Sequence, residues 1–409
     1  MSEQARRTRT LWMCGILHGF THLYHVALLP LYFQIQKDFQ LASVGQATFL
    51  VTSMMAAYYL PSYFMGHLAD RMSRKKLLEW GIYLNSAGFI GLAFAPNYPC
   101  ALAAMILAGF GGSFYHPAAT AMVVRISPTN TGRVLGLVGM GASVGFFLGP
   151  VYTGWRAASA GWRAPVLELG IAGIVAAILF GWLSTDEAPR TEAPERTPES
   201  IFPSAALWVM FFAACLAFSL RDFASCSMAT LGSLFLQKAH GFDIRSAGLA
   251  LSAIFIPSLI SNPLFGRLSD SGRKRWIAFV IGVGAIIIWL FPHIPQRFLV
   301  TTLLVYGFFF MANYPIVEAA LMESVPDAVR GRVFGIFITV GGLLGNLAHW
   351  VMGRWVESLG PAASLAGSYR TIYGLLAITA LLSLLGLPCL QRIRKREELV
   401  VPTYEGSAA

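Results

Sequence analysis

The chain has 409 residues, of which 56% are hydrophobic and 12% charged, and it carries a formal net charge of +10. A soluble domain carries roughly twice that charged fraction, so the composition excludes a water-soluble globular protein. A basic excess on a soluble chain would point to nucleic acid; here the placement of the charges gives another cause, and no nucleic-acid partner is expected.

Twelve mostly apolar windows follow one another near 11–33, 44–65, 77–95, 98–124, 132–157, 164–184, 204–236, 245–266, 275–292, 297–322, 331–357 and 368–390. Each is long enough for one helix across the hydrocarbon, which takes about 20 residues. None shows the strict alternation of a membrane strand, which excludes a β-barrel. The expected fold is an all-α membrane protein with twelve transmembrane helices. With the N-terminus placed in the cytosol, 21 Lys and Arg fall on the cytosolic side and 8 on the outer side, with Arg221 alone inside a span. That asymmetry predicts a multi-pass protein of the cell inner membrane with both termini cytosolic. Its basic clusters would touch anionic lipid at the cytosolic face. No cleavable signal is expected, because "RRTRT" leads straight into the first window. Of Cys14, Cys100, Cys215, Cys226 and Cys389 only Cys100 lies near an outer loop, so no disulfide framework is implied.

Residues 185–203, rich in Pro, Glu and Thr, form the one long polar stretch and are expected to be a flexible cytosolic linker. The linker divides the chain into an N-terminal six-helix bundle, 1–184, and a C-terminal six-helix bundle with a short cytosolic tail, 204–409. The halves repeat. "GHLADRMSRKK" (66–76) returns as "GRLSDSGRKR" (266–275), and "TGRVLGL" (131–137) as "RGRVFGI" (330–336). "YHP" (115–117) returns as "NYP" (313–315), and "QK" (36–37) recurs at 237–238. Such internal duplication is the signature of a secondary transporter whose substrate site lies between the repeats.

With these motifs the sequence resembles the major facilitator superfamily along essentially its whole length. Residues 66–75 fit that family's G-x-L-a-D-r-x-g-R-k hairpin, with Ser73 in place of a glycine, and 266–275 is the weaker second copy. "GFGGSFYHPAATA" (109–121), "LLPLYFQIQKDFQLASVGQATFLVT" (28–52) and "LRDFASCSMATLGSLFLQKAHGF" (220–242) look most like the fosmidomycin-resistance type of bacterial drug exporter.

The hairpins are expected to gate. Gly66 allows close backbone approach, and Gly266 is its counterpart. Asp70 should sit under the N-terminus of the eleventh helix near Gly331, and Asp270 under that of the fifth near Gly132. A carboxylate in such a place gains roughly 0.3–1 kcal/mol from the helix dipole. Arg71, Arg74, Arg133 and Arg332 complete the gating set. These contacts would form only with the cytosolic ends closed, favouring the outward-open state; the alternative is that Asp70 merely caps a turn. In the fifth helix Gly141, Gly145 and Gly149 recur every fourth residue, a stripe suited to tight helix packing, and Pro150 adds a kink or stiffening. The stretch resembles the superfamily's antiporter motif G-x-x-x-G-P-x-x-G-G, with Thr153 replacing one glycine. The Arg that many proton-coupled drug exporters carry in the fourth helix is absent: Cys100 to Thr120 holds no basic residue except His116.

In the first helix His18, His22 and His25 share one face. Three readings are open there: a proton-responsive or substrate-contacting face, satisfied structural histidines, or a metal site completed by Cys14, His116 or Asp222. Arg221 and Asp222 lie at the repeat-equivalent depth of Thr21 and His22. Being adjacent, they are expected to point apart, with Arg221 meeting an anionic substrate or a cavity ion pair, or else snorkelling to an interface. Tyr314 and Glu318 share a face of the tenth helix beside Asn313, and Asn346 and His349 are cavity candidates on the eleventh. Tyr24, Tyr115 and Tyr314 are expected as apolar walls. Asp222 and Glu318 are the carboxylates well inside spans, so with His22 they are the candidates for carrying a proton.

No nucleotide-binding loop, HExxH or nucleophile elbow is present, so no catalytic residue, metal or cofactor is assigned. The expected function is proton-coupled transport of a small amphipathic or anionic organic compound by alternating access, as export and by a monomer. The alternatives are an organic-anion uptake symporter and, from another class, a membrane-embedded metalloenzyme or sensor using the histidines.

Overall fold

The first helix, α1 (Glu3–Val26), begins ahead of its apolar window because its basic arm has partners. Arg7 pairs with Glu3 one turn away, and Arg9 donates to the carbonyl of Leu183 at 2.6 Å, at the end of α6 (Arg163–Leu183). A cation there answers both the unpaired carbonyls and the negative end of that helix. Helix α1 ends seven residues before the window does. Pro30 has no N–H, and its ring would collide with the carbonyl of Val26, so the chain turns through Leu29–Leu31 into the short helix Tyr32–Asp38. This computed structural model describes residues 3–126, 131–185, 201–326 and 329–400, excluding the side chains of Tyr63, Asp70, Val124, Thr131, Gly132, Arg133 and 395–400. Most of the 185–203 linker therefore lies outside the described residues.

Four crossings are broken, in pairs that repeat between the halves. Helix α2 runs Val44–Tyr59 and then Ser62–Arg71, and α8 runs Ile244–Ser252 and then Ser258–Ser269; Pro61 and Pro257 open the second segments. Helix α4 runs Tyr98–Gly112 and then Tyr115–Ile126, and α10 runs Leu299–Phe310 and then Asn313–Met322. Pro117 and Pro315 stand third in those second segments. Their rings exclude the carbonyls of Ser113 and Met311 from the helical ladder, which is where the breaks fall. The remaining crossings are α3 (Arg74–Phe94), α5 (Thr131–Ala160), α7 (Ala205–Lys238), α9 (Arg273–Leu290), α11 (Arg330–Ser358) and α12 (Arg370–Leu382, continued by Gly386–Val400).

The ends are specified locally. Ser43 and Gln46 make a capping box at α2; Asn97, Ser204 and Asp243 accept backbone N–H bonds at the starts of α4, α7 and α8. Beyond α5 and α11, Gly161 (φ 74°) and Gly360 (φ 52°) take the left-handed conformation that stops a helix. Among the described residues nine segments are long and apolar enough to cross a membrane on their own. The three that are not are α1, diluted by its basic arm, and the proline-broken α2 and α8. Trp80, Phe94, Trp155, Trp182 and Trp289 are among the large exposed side chains of the apolar outer surface.

Within the first bundle α1 lies along α5. The α5 glycines meet glycines of α1: a Cβ on Gly141 would stand 2.0 Å from the Gly15 carbonyl oxygen, and one on Gly145 would stand 2.0 Å from that of Gly19. Gly149 faces Leu23 and Val26. Backbone cannot yield as a flexible side chain can. Gly145→Ala should therefore cost about 1–3 kcal/mol, seen as a lower melting temperature of the purified protein. In the second bundle α7 lies between α11 and α12, and α9 packs on α12 and α10.

Candidate functional site

The buried apolar residues show how the bundles meet. In the half of the molecule remote from the 66–76 hairpin they form one continuous cluster, drawn from both bundles. In the hairpin half they divide into one cluster per bundle. The seam between the bundles is accordingly closed at the far end. There Thr52 Oγ1 donates to the carbonyl of Asn346 (3.0 Å) and accepts from Trp350 N–H (3.1 Å), joining α2 to α11. Ser252 Oγ donates to the carbonyl of Phe147 (2.7 Å), joining α8 to α5, and Phe146 stacks on Phe255. Ser233 and Gln237 of α7 donate to the carbonyls of Leu29 and Pro30.

At the hairpin end the bundles stand apart. Cβ atoms built on Gly66, Gly136, Gly139, Gly266, Gly331 and Gly335 would meet nothing within 4 Å. Among the described residues, the close approach expected at Gly66 and Gly266 is therefore not made in this conformation. Asp270 pairs with Arg273 of its own hairpin at 3.1 Å. Arg71 and Arg332 are exposed, and Arg74 reaches the carbonyl of Ala121 at 3.5 Å. The side chains of Asp70 and Arg133 lie outside the described residues.

The cleft has one polar cluster on each wall. On the first wall, the single face of α1 predicted from spacing brings His18, His22 and His25 together, and the segment beyond the α4 break adds His116. His18 Nδ1 lies 3.0 Å from the carbonyl of Val138, and His18 Nε2 lies 3.0 Å from His22 Nε2. A carbonyl only accepts, so His18 carries its proton on Nδ1 and His22 donates to it. Ring centroids are 5.5 Å apart for His22 and His116 and 5.0 Å for His22 and His25. Tyr115 stacks flat on His18 at 4.9 Å while its hydroxyl donates to the carbonyl of Cys14. His22 Nδ1 and His25 Nε2 are buried with no hydrogen-bond partner.

On the second wall stands Arg221, 2% exposed. Adjacent residues on a helix diverge, yet Arg221 and Asp222 pair, with Nε and Nη2 at 3.0 and 2.8 Å from Asp222 Oδ1. That corrects the expectation that they point apart. The guanidinium is long enough to bend back, and Asp222 is seated against α11, where Cβ atoms on Gly341 and Gly345 would fall 2.6 Å from its Oδ2 and Cβ. The guanidinium also lies over the ring of Tyr314 at 4.3 Å, a cation–π contact. Arg221 Nη1 has no hydrogen-bond partner. Glu318, half-buried and one turn beyond Tyr314, is within electrostatic reach of Arg221 and Asp222.

Tyr58 and Tyr59 link the two walls, and the sequence reading did not single them out. Tyr58 packs edge-on against His25 (4.7 Å) and against Tyr59 (4.9 Å), whose ring fills the place of a side chain at Gly342 in α11. Four expected residues lie elsewhere. Tyr24 is wholly buried in the first bundle, its hydroxyl bonded to Ser86 and to the Leu169 carbonyl, because it sits on the opposite face of α1 from the histidines. Asn313 is buried in the α10 break and donates to the Phe310 carbonyl there. His349 is held by Thr230 at 2.6 Å and by Asn346 at 3.1 Å, so this pair belongs to the sealed far end.

Two repeated bundles of six membrane-crossing helices, enclosing a cleft with ionisable groups on both walls and open at one end, define a secondary transporter. The chain belongs to the Major Facilitator Superfamily, whose family description matches residues 11–349 and 223–406. It is 27% identical over 363 residues to Multidrug resistance protein 2 of Bacillus subtilis, covering 85% of this chain and 88% of the relative. It is 22% identical over 375 residues to the Fosmidomycin resistance protein of Escherichia coli (86% and 91%). Over 334 residues it is 23% identical to the Cis,cis-muconate transport protein of Acinetobacter baylyi (78% and 80%). Its fold is similar to that of a bacterial homolog to the human lysosomal transporter Spinster, in an inward-facing and unoccupied conformation, with a TM-score of 0.79 and 18% identity over 96% of this chain and 99% of that one. The peptide transporter POT in complex with sulfate is similar too, at 0.73 and 16% over 96% and 95%. The protein is thus a multi-pass transporter of small molecules with drug-efflux relatives, and not an enzyme; the metalloenzyme reading falls with that membership.

Proposed function

We propose that this transporter is a proton-coupled exporter of a small anionic or amphipathic organic compound, acting as a monomer in the inner membrane with both termini in the cytosol. The observation that carries the reading is Arg221: a buried cation in the seam, paired on one side by Asp222 and left with an unpartnered N–H at Nη1. A charge at that depth costs on the order of 3 kcal/mol to insert and marks a ligand or ion pathway. The spare N–H suits a carboxylate or phosphonate oxygen, and the rings of Tyr314 and Tyr59 suit an apolar body. The excess of Lys and Arg at the hairpin end makes that end cytosolic, so the conformation is inward-open, ready to load from the cytosol. Asp70 and Asp270 would pin the cytosolic ends in the opposite, outward-open state. His22, Asp222 and Glu318 are the groups that would carry the proton.

In everted membrane vesicles an imposed inside-acid gradient should drive accumulation of fosmidomycin, and a protonophore should abolish it. A second reading, uptake symport of an organic anion, is favoured by the buried Arg221 and by the muconate-transporting relative. Accumulation of cis,cis-muconate by intact cells under an outside-acid gradient, with no fosmidomycin accumulation in vesicles, would replace export by that reading.

A further inference from the structure

We propose that His18, His22 and His116 form a binding site for a divalent transition cation of the zinc type, with one coordination position open to the cleft. The ligand atoms of the three imidazoles all lie within 4.8 Å of one another. Two of them, one helical turn apart on α1, already have their Nε2 atoms 3.0 Å apart. Histidines at i and i+4 on one helix face are a recurrent zinc-binding pair. Zn–N bonds of about 2.0–2.1 Å in a tetrahedron require nitrogen separations of about 3.3 Å, so the α1 pair is almost in place and His116, within 4.8 Å, has to close by at most about 1.5 Å.

The surroundings support ligation in detail. The Val138 carbonyl fixes the proton of His18 on Nδ1, which leaves the Nε2 lone pair facing the cluster. A backbone carbonyl on the far nitrogen is the usual outer support of a metal-binding histidine. His22 gives up the proton on Nε2 by carrying it on Nδ1 instead, which has no partner at present. His25, its ring 5.0 Å from that of His22, stands outside the trio and leaves the fourth position open. No carboxylate belongs to the cluster, which disfavours calcium and magnesium and suits a borderline cation bound by neutral nitrogen. His18, His22 and His116 are each only partly buried, so an ion has a route from the cleft. Bound there, it would tie α1 to the α4 segment beyond the Ser113–Phe114 break.

The test is titration calorimetry of Zn²⁺ into the purified full chain, stripped with chelator beforehand, with elemental analysis after desalting. The expected result is one Zn²⁺ per chain, no heat with Mg²⁺, unchanged binding in His293→Gln, and affinity at least tenfold weaker in His22→Gln and in His116→Gln. Absence of saturable binding, or equal affinity in those two variants, overturns the proposal. Should a histidine variant not fold, X-ray absorption of the zinc-loaded wild type decides: a shell with histidine scattering supports the site, and a shell of oxygen or sulfur alone overturns it.

Discussion

Arg221→Ala is expected to abolish transport and to lower the melting temperature of the purified protein, and adding Asp222→Ala should restore the second without the first. The single change leaves the Asp222 carboxylate enclosed by Gly341 and Gly345 with its ion-pair partner gone. Removing one member of a buried pair costs about 3–5 kcal/mol, chiefly because the other charge is left uncompensated. The double variant has no charge to compensate, so most of that loss returns. The proposed substrate contact should not return in either protein. Truncating one side of a buried charged hydrogen bond costs about 2 kcal/mol or more, so ligand affinity should fall about thirtyfold at least. Arg221→Lys should hold the fold and recover only part of the binding, because an ammonium keeps the charge but loses the planar fork that lies over Tyr314. Thermal unfolding with and without ligand, run on all four proteins, checks the pattern. Wild-type affinity in Arg221→Ala would remove Arg221 from the binding site.

Glu318→Gln is expected to separate transport from its driving force. Proton-driven accumulation should fall to the level of equilibration, with internal and external substrate equal, while exchange of labelled for unlabelled substrate continues. Two carboxylates stand in the C-terminal wall of the cleft, and they differ. Asp222 is fixed by two contacts to Arg221. Glu318 makes no hydrogen bond or ion pair to another described residue, lies partly open to the cleft, and feels the charge of Arg221. A group so placed can exchange a proton with the cleft, and its ionisation answers to the charge that occupies Arg221, which couples the two electrostatically. Glutamine keeps the shape and removes the exchangeable charge. Counterflow and gradient-driven uptake measured on the same vesicles check the split; gradient-driven accumulation at the wild-type level would move the proton to His22 or Asp222.

The crossings and the duplication were legible because each rests on local chemistry. A span is an uninterrupted apolar run, and Pro117 and Pro315 repeat the same interruption in each half. The histidine face of α1 was legible for the same reason, since i, i+4 and i+7 share a side of any helix. What lay hidden was which side of a span looks across the cleft. In a membrane both the lipid-facing and bundle-facing sides are apolar, so periodicity did not distinguish Tyr24, which turns into its own bundle, from Tyr59, which reaches Gly342 of the other. The Arg221–Asp222 pair was hidden for a second reason. Its geometry depends on the hollow left by Gly341 and Gly345, a small-residue period as plain as the α5 stripe but meaningful only once α7 lies against α11. The gating contacts proposed for Asp70 and Asp270 belong to the other end state; here Asp270 pairs within its own hairpin, and a Cβ on Gly66 would meet no described atom within 4 Å.

Alternating access requires the far end of the seam to open in every cycle. Phe49 of α2 and Trp350 of α11 face each other there, with ring centroids 6.1 Å apart. In a Cys100→Ser, Cys389→Ser background, a Phe49→Cys, Trp350→Cys pair should form a disulfide that stops transport, and reduction should restore it. Full transport with that seam covalently closed would contradict alternating access through this cleft.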